Sequence, residues 1–254
     1  MSDIEPHDYD GICTVCGWAG WFVSLHIAIR ETYPCHNCRA SLRFRVQAEA
    51  ILRFYKDMQA RTIKELAAIP DFKRLRIFEP GISGPFRALF GGLPHYTKSF
   101  YWSDLKSGEL RDGVVNEDLM NLSIPSGTVD LMISSDVFEH IRHPDRGIAE
   151  SARILRSGGA HIFTVPTHVP IRETTLKRVD VDGPQDLPIM EPRYHGDGRG
   201  GRSLVYNDFG RDILDRLAIA GFEASIHRHM TEEPIVCDAI AFVAVKLAGT
   251  SARR

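Results

Sequence analysis

Four cysteines stand in two pairs near the start of the chain, "CTVC" with Cys13 and Cys16 and "CHNC" with Cys35 and Cys38. Two such knuckles can place four soft sulfurs around one tetrahedral ion, with Zn–S bonds of about 2.3 Å. The 18 residues between the pairs lie in the range expected of a zinc ribbon. The competing readings are four unrelated thiols or a redox pair. A redox centre needs only one pair beside a strand–helix turn, so a second knuckle argues against it. Four sulfurs complete the coordination shell, so the expected Zn2+ is structural. His36, inside the second knuckle, could ligate but is read first as exposed or as a neighbour of the ligands. Cys237, alone in an apolar stretch, is read as a core residue.

A second stretch, "FEPGISGPF" at residues 78 to 86, carries an acid and then a turn. Glu79 follows a short apolar strand, and Gly81 and Gly84 allow the backbone to turn sharply. Such a loop either lets a nucleotide approach the backbone or only joins a strand to a helix, and taken alone it leaves both readings open.

These residues must be positioned by regular elements. Apolar residues Leu42, Val46, Ile51, Phe54, Tyr55 and Met58 recur at mostly helical spacing, which predicts a helix over residues 42 to 60 with Ser41 as N-cap. From residue 71 short strands alternate with helices. The strands are "RLRIFE", "HYTKSFYW", "GVVNEDL", "TVDLMISS" and "AHIFTVP", followed by "EASIHRHM" and "DAIAFVAVKLA". The helices are "GPFRALFG", "HPDRGIAESARILRSGG" and "NDFGRDILDRLAIAGF", the last with Asn207 or Asp208 as its cap. The alternation predicts an α/β protein with a doubly wound, Rossmann-like sheet behind a small N-terminal zinc-ribbon module. The expected division is a ribbon over 10–41, linking helices over 42–70 and one α/β domain over 71–248. Residues 167 to 203 interrupt the rhythm with prolines and glycines. A connection that long in a compact domain is expected to be a lid or substrate-binding insertion.

The chain has 254 residues, a hydrophobic fraction of 43%, a charged fraction of 25% and a formal charge of -2. That is the composition of a globular protein without an overall basic footprint for nucleic acid. No apolar run reaches the roughly 20 residues of a membrane span. The acidic start, "MSDIEPHDYD", is unlike a secretory signal, so a cytoplasmic location is expected. Arg39, Arg43, Arg45 and Arg53 follow the second knuckle and read as a solvated helix face, with an RNA-binding rim as the competing reading.

Residues 116 to 166 resemble the class I S-adenosylmethionine-dependent methyltransferases of methyltransferase type 11. The resemblance rests on Asp118, Leu119, Leu122 and Pro125, on Asp130 starting a buried strand, on the pair Glu139–His140, and on Leu155, Gly158 and Gly159. It implies the methyltransferase fold from about residue 74 to the last strand, with S-adenosyl-L-methionine as cofactor. The loop at 78 to 86 then stands where the family carries its glycine-rich first motif. Glu79 and Gly81 match that motif, whereas Ser83 and Pro85 stand where glycines are usual and Gly84 falls between them. The family pattern implies that Glu79 favours the cationic methionine end and that Gly81, Ser83 and Gly84 form the turn. The pattern also implies an acid for the ribose hydroxyls, which is assigned to Asp104, although Phe100 and Tyr101 stand nearer that slot. The same pattern implies that Asp118 accepts from the adenine amino group beside Leu119. Ser134, Ser135 and Asp136 end the fourth strand facing the methyl group.

An oxygen acceptor gains from a base that takes its proton. Asp136, Glu139, His140, His143, His168 and His195 are candidates, with His140, His195 and Asp136 placed first. His140 has an equal reading as a structural hydrogen bonder, and His195, in "EPRYHGD", has one as a surface turn. The resemblance, with its ribbon, its "SSDVFEH" strand end and its "YHGD" segment, implies methylation of a sugar, glycan or other small polar metabolite at oxygen. Two alternatives stay open: an RNA base methyltransferase that grips RNA through the ribbon, and a non-catalytic scaffold on the same fold.

Overall fold

The computed structural model describes residues 8–26, 28–81, 84–196, 200–229 and 239–249. Ser83, Asp197 and Cys237 lie outside the described residues. The chain divides into two compact units. One comprises Met1–Leu75, Gly84–Tyr96 and Ile226–Val243, and the other Arg76–Ser83, Thr97–Ser225 and Ala244–Arg254.

The first unit opens on an antiparallel hairpin, β1 (Tyr9–Ile12) and β2 (Ala19–Phe22), with the first cysteine knuckle between the strands. Helix α1 (Leu42–Phe54) follows, then one 3-10 turn, Lys56–Met58, where the sequence predicts continuous helix to residue 60. Ser41 stands at the N-cap of α1, but its side chain makes no capping bond. Helix α1 buries a run of residues from Leu42 to Ile51 that includes Arg45, Gln47 and Glu49. Arg45 is therefore no part of a solvated face. It is 2% exposed, its guanidinium lies 3.7 Å from the Phe22 ring centroid, and it donates to the Tyr9 hydroxyl. A planar cation stacked on aromatics and hydrogen-bonded can be buried where an isolated charge cannot. Arg43 also turns inward, pairing with Glu31 at 2.9 Å and lying over the Phe44 ring. Glu49 is buried between His227 Nε2 at 3.3 Å and His229 Nδ1 at 2.6 Å.

Helix α2 (Ile63–Ala68) starts on the first knuckle. The Ile63 and Lys64 amides donate to the Thr14 and Val15 carbonyls at 2.9 and 3.0 Å. The Thr62 hydroxyl accepts from the Glu65 amide at 3.1 Å, and the Glu65 carboxylate accepts from the Arg61 amide at 2.8 Å. The knuckle and the capping residues thus satisfy donors that a helix leaves open at its N-terminus. Helix α3 (Pro70–Lys73) completes the segment before the sheet.

The sheet begins with β3 (Ile77–Pro80), every residue of which is buried. Helix α4 (Pro85–Phe90) follows, then β4 (Tyr96–Phe100), β5 (Leu110–Arg111) and β6 (Val114–Asn116). After β7 (Val129–Ser135) come helix α5 (Pro144–Ile154) and β8 (Leu155–Thr164). Helix α5 ends earlier than the sequence suggests, because the chain enters the sheet at Leu155, opposite Val129, and the register shifts before Leu131 meets Ala160. Gly159 sits at that shift. A Cβ there would lie 3.0 Å from the carbonyl oxygens of Arg156 and Asp130, so the strands approach too closely for a larger residue.

The 167–203 insertion is built from small ribbons rather than irregular chain. It contains β9 (Leu176–Lys177), β10 (Val179–Asp180), β11 (Leu187–Pro188), β12 (Tyr194–Gly196) and β13 (Arg202–Leu204). Strand β10 pairs with β11 and β12 with β13, while β9 pairs with β14 (Asn207–Asp208). Asn207 and Asp208 are thus buried strand residues, not a helix cap, and α6 (Ile213–Ile219) starts only after Asp212. Propensity at the "ND" step yields here to the ladder with β9 and to the ion pair that holds Asp208. The chain ends in β15 (Phe222–Arg228) and β16 (Ile240–Lys246).

The eight-stranded sheet has the order β15-β16-β8-β7-β3-β4-β6-β5. The pairs β3–β7, β4–β6 and β7–β8 are parallel and β5–β6 is antiparallel, so the sheet is mixed. The chain leaves β3 toward β4 and β6, then returns to its other side at β7. This reversal makes the carboxyl end of β3 the topological switch point, where ligands of such sheets bind.

One packing constraint is testable here. A Cβ on Gly210 would lie 2.6 Å from the Thr174 carbonyl oxygen and 2.8 Å from the Thr175 amide nitrogen. Both obstacles are backbone, so Gly210→Ala is expected to cost about 1–3 kcal/mol and to lower Tm by on the order of 5 °C. A thermal melt within about 1 °C of wild type would show that the β9–β14 ribbon moves aside freely.

Candidate functional site

The four cysteines converge. Cys13 Sγ is 3.7 Å from Cys38 Sγ, Cys16 Sγ is 3.6 Å from Cys35 Sγ, and all four sulfurs lie within 4.8 Å of one another. Ligands 2.3 Å from a tetrahedral ion stand about 3.8 Å apart, so the set fits Zn2+. The two knuckles repeat one backbone pattern. Gly17 N donates to the Cys13 carbonyl at 2.8 Å and Arg39 N to the Cys35 carbonyl at 2.9 Å. Cys13 N then donates to Trp18 O at 2.8 Å and Cys35 N to Ala40 O at 2.9 Å. Gly17 and Arg39 have φ of 84° and 61°, so each knuckle closes through one left-handed residue. His36 is exposed and stacks on Trp18 with ring centroids 5.2 Å apart, and it does not join the sulfur cluster. The Asn37 side-chain amide donates to Cys16 Sγ at 3.4 Å. A hydrogen bond from Cys38 lowers the Cys13 thiol to about 5, and the same pairing raises Cys38.

At the carboxyl end of the sheet, Glu79 is 4% exposed at the end of β3. Gly81 follows with φ of 104°, its amide donating to Ser99 O at 2.9 Å, and only glycine adopts that backbone without strain. In the first unit, Gly84 has φ of 132° and leads into α4.

Asp118 lies just beyond β6. Its Oδ1 accepts from the Met120 amide at 2.8 Å, and among the described residues Oδ2 has no hydrogen-bond partner. Leu119 beside it is 7% exposed. The corner is braced from several sides. Asn116 accepts from Trp102 N at 2.7 Å and donates to Leu105 O at 2.9 Å. Glu117 accepts from the Ser123 amide at 2.8 Å, and Glu150 from the Leu122 amide at 2.8 Å. Arg153 donates to Leu122 O and Ile124 O at 3.0 and 2.8 Å. Asn116, Glu117 and Arg153 are supports that the sequence reading passed over. The only hint of them is polar side chains within otherwise apolar elements.

Asp104 is turned to the exposed edge, where Arg111 Nη2 meets its Oδ2 at 2.6 Å. The Arg111 hydrogen bond holds the Asp104 carboxyl below its ordinary range. Tyr101 follows β4 directly, and burial together with the Asp118 charge raises its phenol.

Strand β7 ends in Ser134, Ser135 and Asp136. Ser134 is buried against His161, Oγ to Nε2 at 2.9 Å, so it faces the sheet interior rather than a reacting group. Burial lowers His161 to about 3, which keeps it neutral. Asp136 is held at φ of 54°, its amide donating to Thr164 O at 3.0 Å and its Oδ1 accepting from Thr164 Oγ1 at 2.9 Å. A left-handed aspartate at a strand end stores backbone strain of the kind that collects at functional sites.

The 3-10 turn Phe138–His140 comes next. Glu139 is fully buried, His140 Nε2 is 3.5 Å from its Oε1, and His195 Nδ1, on β12, is 3.5 Å from the same oxygen. The two imidazole rings meet edge to face with centroids 5.0 Å apart. Burial, then the Asp136 charge, pushes the Glu139 carboxyl above the usual carboxylate range. The insertion reaches this corner through fixed contacts. Arg142 donates to Asp186 and to Gly183 O, both at 2.6 Å, and the Tyr206 hydroxyl donates to Asp186 at 2.6 Å. Arg178, itself buried, donates to Asp208 at 2.9 Å and Glu191 O at 2.7 Å. The other base candidates stand elsewhere: His143 contacts Arg142 Nη1 at 3.0 Å, and His168 Nε2 is 3.8 Å from Asp208.

A family model described as Methyltransferase domain matches residues 99–163. Among solved structures, the chain is similar to an S-adenosylmethionine dependent methyltransferase from Mesorhizobium loti, with 17% identity over 72% of this chain and 95% of that one, TM-score 0.43. It is also similar to the sugar N-methyltransferase KedS8 from a Streptoalloteichus species, with 16% identity over 80% of this chain and 88% of that one, TM-score 0.46. No curated protein matches the chain. The matched segment runs from β4 through β8 and contains the Asp118 corner, the end of β7 and the Glu139–His140 turn. The match over residues 99–163 marks an S-adenosylmethionine-dependent methyltransferase domain within this chain.

Proposed function

We propose that the protein transfers the methyl group of S-adenosylmethionine to an oxygen of a sugar, glycan or other small polar metabolite. The cofactor, when bound, supplies a methyl group activated by a sulfonium. Glu79 would face its cationic amino end, Gly81 would admit it to the backbone turn, and Asp118 Oδ2 would accept from the adenine amino group with Leu119 against the ring. Ser135 and Asp136, at the end of β7, border the transfer site. With Asp104 engaged by Arg111, the Tyr101 hydroxyl is the better-placed partner for the ribose.

The observation that carries the acceptor chemistry is the meeting of His140 and His195 at Glu139. An alcohol is a weak nucleophile until its proton leaves. In the transfer, an oxygen lone pair forms the new C–O bond, and the C–S bond breaks with its electrons staying on sulfur. The hydroxyl proton passes to one of the two imidazoles. The insertion supplies Tyr194 and His195 to the acceptor side. The Cys13, Cys16, Cys35 and Cys38 centre would hold one structural Zn2+, because its four sulfurs leave no coordination position for a substrate.

Calorimetric titration with S-adenosylhomocysteine tests the cofactor reading. Asp118→Ala removes a charged acceptor and is expected to weaken binding roughly 10- to 100-fold. Equal affinity in wild type and variant would remove Asp118 from the site. A screen of nucleotide sugars and glycans for methyl uptake then tests the acceptor class, and uptake confined to RNA would replace it.

A further inference from the structure

We propose that Glu139, His140 and His195 bind a divalent transition-metal ion, separate from the four-cysteine centre and placed to receive the acceptor oxygen. The proposal rests on reading this corner as the methyl-transfer site.

Glu139 Oε1, His140 Nε2 and His195 Nδ1 are a three-ligand set within 4.8 Å of one another. The Glu139 carboxylate is wholly buried, and among the described residues neither oxygen has a hydrogen-bond partner at hydrogen-bond geometry. A buried carboxylate without hydrogen bonds is costly unless a cation answers it. Its neighbours are the two imidazole nitrogens, each 3.5 Å away. That separation is too long for a strong charge-assisted hydrogen bond, which closes to about 2.7–2.9 Å. It is close to the roughly 3.4 Å between two ligands that share a tetrahedral ion at about 2.1 Å.

The tautomer of His140 points the same way. Its Nδ1 lies 2.8 Å from the Leu204 carbonyl oxygen, which can only accept, so Nδ1 carries the hydrogen. In neutral His140 the Nε2 lone pair then faces the Glu139 carboxylate, and two electron-rich groups oppose each other across a gap that suits a cation. A backbone carbonyl on the far ring nitrogen is also how proteins commonly orient a metal-ligating histidine. Three protein ligands leave at least one position open, as in catalytic rather than structural sites. The side chains of His140 and His195 are 18% and 34% exposed, so an ion and an acceptor can reach that position. Two imidazoles and one carboxylate suit zinc, cobalt, iron or manganese rather than calcium or magnesium. With the ion bound, the His140 and His195 lone pairs would be its ligands, so an acceptor hydroxyl at the open position would release its proton to solvent near neutral pH instead of to an imidazole and keep the electron pair that attacks the methyl carbon.

The test is titration of Co2+ into full-length protein whose cysteine centre is already loaded with Zn2+. The expected result is one equivalent of bound Co2+ with visible d–d bands stronger than those of aqueous, octahedral Co2+ and no thiolate charge-transfer absorption. Glu139→Gln and His195→Gln should each weaken that binding at least about tenfold while S-adenosylhomocysteine affinity stays within about twofold of wild type. His195 is partly exposed on a ribbon, so its variant folds even if the buried glutamine does not. Absence of Co2+ binding outside the cysteine centre, or binding that both variants retain, would overturn the proposal. Calorimetry on the same samples judges the methyltransferase site separately, since it needs no metal at Glu139.

Discussion

Replacing Cys35 with serine is expected to unfold the first unit. The Cys35 side chain is buried, and its sulfur stands 3.6 Å from Cys16. Hydroxyl ligation does not replace a thiolate around zinc, and structural zinc supplies about 10–16 kcal/mol of apparent folding free energy in small zinc modules. A whole domain is stable by only about 5–15 kcal/mol. The damage should spread beyond the hairpin, because the knuckle carbonyls of Thr14 and Val15 accept from the first amides of α2. Thr14 Oγ1 also donates to Arg45 O in α1 at 2.9 Å. Far-ultraviolet circular dichroism and zinc content of the variant check this, and a strong chelator should reproduce the loss in wild type. A Cys35→Ser protein that keeps native helicity and Tm, or a wild type whose fold ignores chelation, would reduce the four cysteines to free thiols.

His140→Ala is expected to lower kcat for the methylated acceptor by about 10²–10⁴-fold, with S-adenosylhomocysteine affinity nearly unchanged. The ring sits between Leu204 O and Glu139, so its removal strips the transfer corner of a proton acceptor or ion ligand. None of the hydrogen bonds that brace the Asp118 corner involves it. Single-turnover methyl transfer on the acceptor found by screening measures the effect. Turnover above half the wild-type rate would assign His140 to structure alone.

The fold was largely legible because parallel strands buried on both faces leave short apolar runs, and "TVDLMISS" and "AHIFTVP" are such runs. Element ends were less so. Helix α5 stops at Ile154 because Leu155 pairs with Val129, a partner that local propensity does not contain. The insertion read as a loop because its strands are two or three residues long, too short to show a period of two. Arg45 read as surface because charge is the stronger local signal, yet the Phe22 and Tyr9 rings that accept it come from a distant hairpin.

By itself the sequence determined the four-sulfur set, since metal spacing within a knuckle is local chemistry. It also determined the order of strands around Asp118 and the Glu139–His140 pair, since buried strands announce themselves by composition. Tertiary structure alone decided which polar groups meet. It turned Asp104 to Arg111, buried Ser134 on His161, and carried His195 across the insertion to Glu139. Hydrogen bonds and ion contacts act over about 3 Å, and a chain that folds back through paired ribbons sets such distances between residues far apart in sequence.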